Sequence, residues 1–125
     1  MIYTVEEKSR MDNVLETFGD YIRGHEAFDI VYSDKTGYFR IWAKDMTLEG
    51  PRPLKNVEAL LDELFWHISG DVWALKMVGY HDDIDLFPEE MVEVRLRAEA
   101  ILKTMTKDRE YCLERLDYYL EHVND

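Results

Sequence analysis

The sequence is short of cysteine, of basic residues and of long apolar runs. Its single cysteine, Cys112, excludes an intramolecular disulfide and is typical of a reducing compartment. No apolar run approaches the roughly 20 residues that cross a bilayer, and the N-terminus lacks the basic and apolar regions of a signal peptide. Repeats and low-complexity tracts are also absent. We therefore expect a cytoplasmic protein, with no membrane contact, that forms one compact domain over residues 1–125.

The deficit of basic residues limits the ligands that the chain can bind. Fifteen Lys and Arg residues stand against 27 Asp and Glu residues, which gives a net charge of −12. Such a balance disfavours direct binding of nucleic acid or an anionic membrane, because phosphate recognition depends on basic residues. It permits a partner protein with a basic surface, a cation, or competition with DNA for a basic groove. The same charge would also simply keep a small domain in solution.

Apolar residues are abundant enough for a folded core. They make up 46% of the chain, and 13% of the residues are aromatic, which argues against disorder. Their spacing predicts an α+β fold that is mostly α, with one antiparallel β-hairpin packed against three to five helices. The predicted helices cover about residues 5–23, 54–69, 71–79, 88–105 and 107–123.

The predicted hairpin joins two aromatic and β-branched segments at about residues 28–32 and 38–42. The five residues between them end in Gly37, which is typical of longer hairpin loops. Two strands alone are marginal in water, so the hairpin needs helices or another strand beside it. The nearly all-apolar segment 72–78 is the candidate for a third strand, although its spacing also continues the helix before it.

The segment from Leu54 onward has one wide apolar face, and the acids Asp62 and Glu63 are predicted to lie on its opposite, solvent-facing side. Near the C-terminus, eight residues separate Met105 from Leu113, so the apolar stripe is offset by one residue there. One kinked helix or two helices at a corner would satisfy this offset. The apolar stripes of these C-terminal helices could be buried within one chain or in a homodimer.

Acidic residues are concentrated between residues 58 and 93, where ten acids accompany the single base Lys76. The predicted partner-binding patch is its C-terminal end, which consists of Asp82, Asp83, Asp85, Glu89, Glu90 and Glu93. The central Gly and terminal Glu of a calcium-binding EF-hand loop are missing, and we predict no metal and no cofactor. The pattern favours a non-enzymatic interaction module that docks on a basic protein surface. A sharper version is mimicry of DNA charge.

The alternative function is metal-dependent hydrolysis, and it depends on the dipeptide His81-Asp82. This pair resembles the adjacent His-Asp of the HD-domain metal phosphohydrolases, a helical family that uses an earlier His and a later Asp as further ligands. The resemblance implies His67 as the earlier ligand and Asp108 or Asp117 as the later one. Gly79 interrupts the helix on which the pair would have to lie, which departs from the family's pattern.

Overall fold

The computed structural model describes residues 2–42, 50–76 and 86–125, with residues 74–76 described by their backbone alone. Within these ranges the fold is α+β and mostly helical, as predicted. The helices are α1 (Val5–Thr17), α2 (Gly19–Gly24), α3 (Val57–Lys76), α4 (Pro88–Leu102) and α5 (Arg109–His122). The strands are β1 (Phe28–Ser33), β2 (Gly37–Trp42) and β3 (Arg52–Pro53). The chain divides into two compact units, Met1–Leu60 and Leu61–Asp125, and the prediction of one domain stays a prediction.

The sheet of the N-terminal unit is antiparallel, with its strands in the order β1-β2-β3. The register of β1 and β2 runs from the pair Phe28–Trp42 to the pair Ser33–Gly37, which confirms the predicted hairpin. The third strand is β3, paired to β2. Of the two alternatives for residues 72–78, the helix is confirmed for residues 72–76, and residues 77–78 lie outside the described part. The helical spacing of the apolar residues through Val72 explains the outcome.

Tyr3 connects the chain's N-terminal segment to the hairpin and to the residues before α3. Its hydroxyl donates a hydrogen bond to the carbonyl oxygen of Leu54 at 2.6 Å and accepts one from the backbone N–H of Tyr38 at 2.9 Å. The Tyr3 ring lies against Gly37, whose φ of 77° is a left-handed conformation that side chains disfavour. Glu7 accepts a hydrogen bond from the first N–H of α3, at Val57, over 2.8 Å.

The helix predicted at 5–23 is interrupted at Phe18, which separates α1 from α2. Phe18 has φ −89° and ψ 5°, and its side chain is fully buried. Gly19 follows directly, and glycine is the poorest helix former after proline. The interruption is slight, because the N–H of Phe18 still bonds to the carbonyl of Val14 and its carbonyl still accepts from Ile22.

α3 differs from prediction in its extent and in the burial of one acid. It continues through Gly70 as one helix instead of ending there as two, and it begins at Val57. Glu63 is buried, with 5% of its surface exposed, and does not lie on a solvent-facing side. Burial extends around more of α3 than the surface-helix pattern implies, since His67 and Ser69 are buried as well as Glu63.

The C-terminal third consists of two helices, α4 and α5. Asp108, at the start of α5, has φ 69° and ψ 6°, a left-handed conformation that cannot lie inside an α-helix. This corner accounts for the offset in the apolar stripe. The C-terminal end of α5 is linked to the residues just before α4 by the side-chain amide of Asn124. This amide accepts a hydrogen bond from the N–H of Leu86 and donates one to the carbonyl oxygen of Leu86, each at 2.8 Å. None of the described helices has the length and apolar content to cross a bilayer.

Candidate functional site

Half of the predicted acidic patch lies in the described part of the structure. Asp82, Asp83 and Asp85 lie outside the described residues. Glu89 is exposed on the first turn of α4, where a negative charge suits the helix dipole. The described part of the patch therefore consists of Glu89, Glu90 and Glu93.

Glu90 and Glu93 are both engaged within α4. The Oε1 atom of Glu90 accepts a hydrogen bond from the N–H of Phe87 at 2.9 Å, and only 2% of the residue is exposed. Glu90 is thus a capping residue that is turned inward and presents no carboxylate to a partner. Glu93 is half-buried and forms an ion pair with the Nε of Arg97 at 3.1 Å.

A second group of acids lies along α5, and we name it the acidic row. It consists of Glu110, Glu114, Asp117 and Glu121, all of them exposed. Successive members are four, three and four residues apart, which places them on one side of the helix. Over eleven residues of helical rise, the row is roughly 16 Å long.

The charges of the acidic row are only partly compensated. Asp117 forms an ion pair with Arg95 of α4, with 2.6 Å between the charged atoms. Within residues 2–42, 50–76 and 86–125, the members Glu110, Glu114 and Glu121 take part in no ion pair. Like charges at this spacing destabilise a helix by about 0.2–0.5 kcal/mol per pair. Helix stability therefore does not explain why the row is acidic.

The acidic row was missed at the sequence level, although its spacing is visible there. The prediction followed the local density of acids between residues 58 and 93, where bases are nearly absent. In α5 the acids alternate with tyrosines, leucines and Arg115, so their density is unremarkable. Testing the acids for helical spacing, as was done for the apolar residues, would have found the row.

The side chains implied by the resemblance to the HD-domain hydrolases lie in separate surroundings. His67 is buried, with its Nε2 2.7 Å from the Oε2 of Glu63 one turn earlier in α3. Asp117 is exposed and paired with Arg95, and Asp108 is the N-cap residue just before α5. His81 lies outside the described residues. Among the residues that are described, no three His, Cys, Asp or Glu side chains are grouped so that they could hold a metal ion.

A buried hydrogen-bond chain joins α3 to α5 in the same unit. The hydroxyl of Ser69 donates to the carbonyl of Phe65 at 2.8 Å and lies 2.9 Å from the hydroxyl of Tyr119. The pKa of Tyr119 is raised from 10.0 to about 12, chiefly by burial. The hydrogen bond to Ser69 lowers this pKa, and the negative charges of Asp62 and Glu63 raise it.

The raised pKa of Tyr119 should make the free energy of unfolding fall as the pH rises in the alkaline range. Because its pKa is higher in the folded state, its contribution is fully present below pH 10 and is lost as pH rises through about 12. Tyr119→Phe should be less stable than wild type by about 1 kcal/mol at pH 9, from the lost hydrogen bond. Between pH 9 and pH 11.5 the free energy of unfolding of the wild type should fall by roughly 2 kcal/mol because of Tyr119, and the variant should not show this fall. Urea unfolding of both proteins at each pH measures this, and an unchanged difference would contradict it.

The comparisons with known proteins add no relative to these observations. No protein-family model matches the sequence, and no characterised protein or solved structure matches the chain.

Proposed function

We propose that the protein is a small acidic interaction module that docks on a basic surface of a partner protein. The acidic row on α5 is the observation that supports this most directly. It presents four exposed carboxylates on one side of one helix, and three of them are uncompensated by any described ion pair. Such a line of charge steers a basic partner toward the helix and fixes how it docks.

The spacing of the row favours a basic protein surface over close imitation of DNA. The row carries one carboxylate per about 5.5 Å of helix axis. One strand of duplex DNA carries a phosphate per roughly 3.4 Å, and the duplex carries one per roughly 1.7 Å. The row alone is thus sparser than a single strand. DNA mimicry is the narrower version of the proposal, and it requires further acids beside α5.

The test is capture of partners by the immobilised protein from a lysate of its own cell type, with elution by rising salt. The variant Glu110→Gln/Glu114→Gln/Glu121→Gln removes the uncompensated members of the row. A partner held by this row should bind the variant on the order of tenfold more weakly, from about 0.5 kcal/mol per charge. Screening shortens from roughly 30 Å at 0.01 M salt to roughly 3 Å at 1 M, so wild-type binding should fall across that range.

The matched control is Glu6→Gln/Glu16→Gln/Asp34→Asn, in which three exposed acids of the N-terminal unit lose their charge. Removing three charges from −12 leaves −9 in both variants, so net charge is the same. The control should bind the captured partner as wild type does. Equal weakening by both variants would show that total charge, not the row, is responsible. Binding that persists undiminished at high salt would contradict the electrostatic proposal.

A further inference from the structure

The outer side of α4 carries apolar side chains that the described structure leaves in solvent. Val92 and Leu96 are each 57% exposed, and Ala100 is exposed one turn further along the same side. Leu96 and Ala100 also border a groove of about 490 Å³ between α4 and α5. Glu89 lies at the N-terminal end of this line and Lys103 follows its C-terminal end, both exposed. We name these five residues the α4 outer face.

The charges on and beside this face are arranged almost symmetrically about Leu96. Arg95 and Arg97 lie one residue to either side of it, and Glu93 and Glu99 lie three residues to either side. Val92 and Ala100 lie four residues away. At seven residues the charges are opposite, with Glu89 before and Lys103 after.

We infer that the α4 outer face binds a second copy of this chain, with two α4 helices antiparallel about a two-fold axis at Leu96. In that arrangement Leu96 meets its symmetry mate, and Val92 meets Ala100 of the other copy. Glu89 of each copy meets Lys103 of the other, so opposite charges close both ends of the interface. The antiparallel direction also sets opposite helix dipoles side by side. A parallel pair would instead place Glu89 against Glu89 and Lys103 against Lys103.

Each flank of the helix carries one arginine and one glutamate. Glu93 and Arg97 form an ion pair on one flank at 3.1 Å, and Arg95 and Glu99 lie 3.6 Å apart on the other. A two-fold axis across an antiparallel pair brings each flank against the same flank of the other copy. Along the helix axis each arginine then lies about 3 Å from a glutamate of the second copy and equally far from the equivalent arginine, and the glutamate of its own helix offsets this contact between like charges.

The size of the interface sets the expected affinity. α4 has 15 residues and is about 22 Å long. One pair of helices of this length buries less than the roughly 1,600 Å² of a standard stable interface. We therefore expect a reversible dimer with a Kd on the order of tens of micromolar.

The first experiment is sedimentation equilibrium of the wild-type protein from about 1 µM to about 1 mM, a range that brackets this Kd. Leu96→Glu places two like charges at the axis and should weaken dimerisation at least tenfold. Val5→Glu, at a residue of α1 that is 71% exposed, adds the same charge elsewhere and should leave the Kd unchanged. A wild-type protein that is monomeric throughout overturns the proposal, as does a Leu96→Glu variant that dimerises like wild type.

A charge exchange then tests the antiparallel register. Glu89→Lys alone places two lysines at each end of the interface, and Lys103→Glu alone places two glutamates there. Each variant should dimerise several-fold more weakly than wild type. Mixed in equal amounts, the two variants should recover the wild-type fraction of dimer, because every end contact then joins Lys to Glu. A mixture that sediments no larger than the separate variants overturns the proposal. Circular dichroism of each variant confirms that it is folded.

Discussion

Gly37→Ala is expected to lower the free energy of unfolding by about 3–5 kcal/mol. The left-handed φ of 77° would place the new methyl group within 2.6 Å of the Cζ atom of Tyr3, which is too close for any two carbons. The ring would have to move, and its hydroxyl would lose the carbonyl of Leu54 and the N–H of Tyr38. Denaturant unfolding of the purified variant, followed by tryptophan fluorescence, measures the loss.

Gly24→Ala is the matched control for this prediction. A methyl group at Gly24 meets no atom within 4 Å, and this glycine is exposed at the end of α2. The control should change the free energy of unfolding by less than about 1 kcal/mol. If Gly37→Ala unfolded at the same denaturant concentration as Gly24→Ala, the assigned position of Tyr3 against the hairpin would be wrong.

The second large effect is expected at the buried pair of Glu63 and His67. His67→Phe removes the nitrogen that lies 2.7 Å from the Glu63 carboxylate, and it should cost about 3–5 kcal/mol. Glu63→Leu should also be destabilising, because it leaves His67 buried without the carboxylate beside it. The double variant Glu63→Leu/His67→Phe should lose much less than the sum of the two, because neither polar group is then left buried without the other.

A double-mutant cycle on these three variants, measured by denaturant unfolding, gives the coupling energy directly. The control is Arg23→Gln, which removes the highly exposed ion pair with Asp20 and should change stability by less than about 0.5 kcal/mol. Additive effects of Glu63→Leu and His67→Phe would show that the two side chains do not stabilise one another in the folded protein.

Local spacing predicted most of the elements of this fold. The hairpin was predictable because its two aromatic, β-branched segments and the glycine-ended loop between them are adjacent in sequence. α4 and α5 were predictable from apolar residues at helical spacing. The one-residue offset indicated a break between them but did not distinguish a kink from the left-handed corner at Asp108. The acidic row belongs to the same category, because the side of a helix on which residues lie follows from their spacing alone.

Features that depend on distant contacts were not predictable in this way. β3 is two residues long and one of them is a proline, so only pairing with β2 makes it a strand. The continuation of α3 through Gly70 is intermediate, because the helical spacing of Ile68 and Val72 indicated it and their burial in the folded protein accompanies it.

For the candidate site, the sequence determined the negative charge and the helices that carry it, because composition and helical spacing are properties of the chain itself. The tertiary structure decided which acids face solvent. Glu63 and Glu90 are both buried, one beside His67 and the other capping α4, whereas Glu114 and Glu121 remain exposed. The physical reason is that packing decides which side of a helix loses its contact with water. The partners of the two buried acids, His67 and the N–H of Phe87, are close to them in sequence and do not by themselves show that Glu63 and Glu90 are buried.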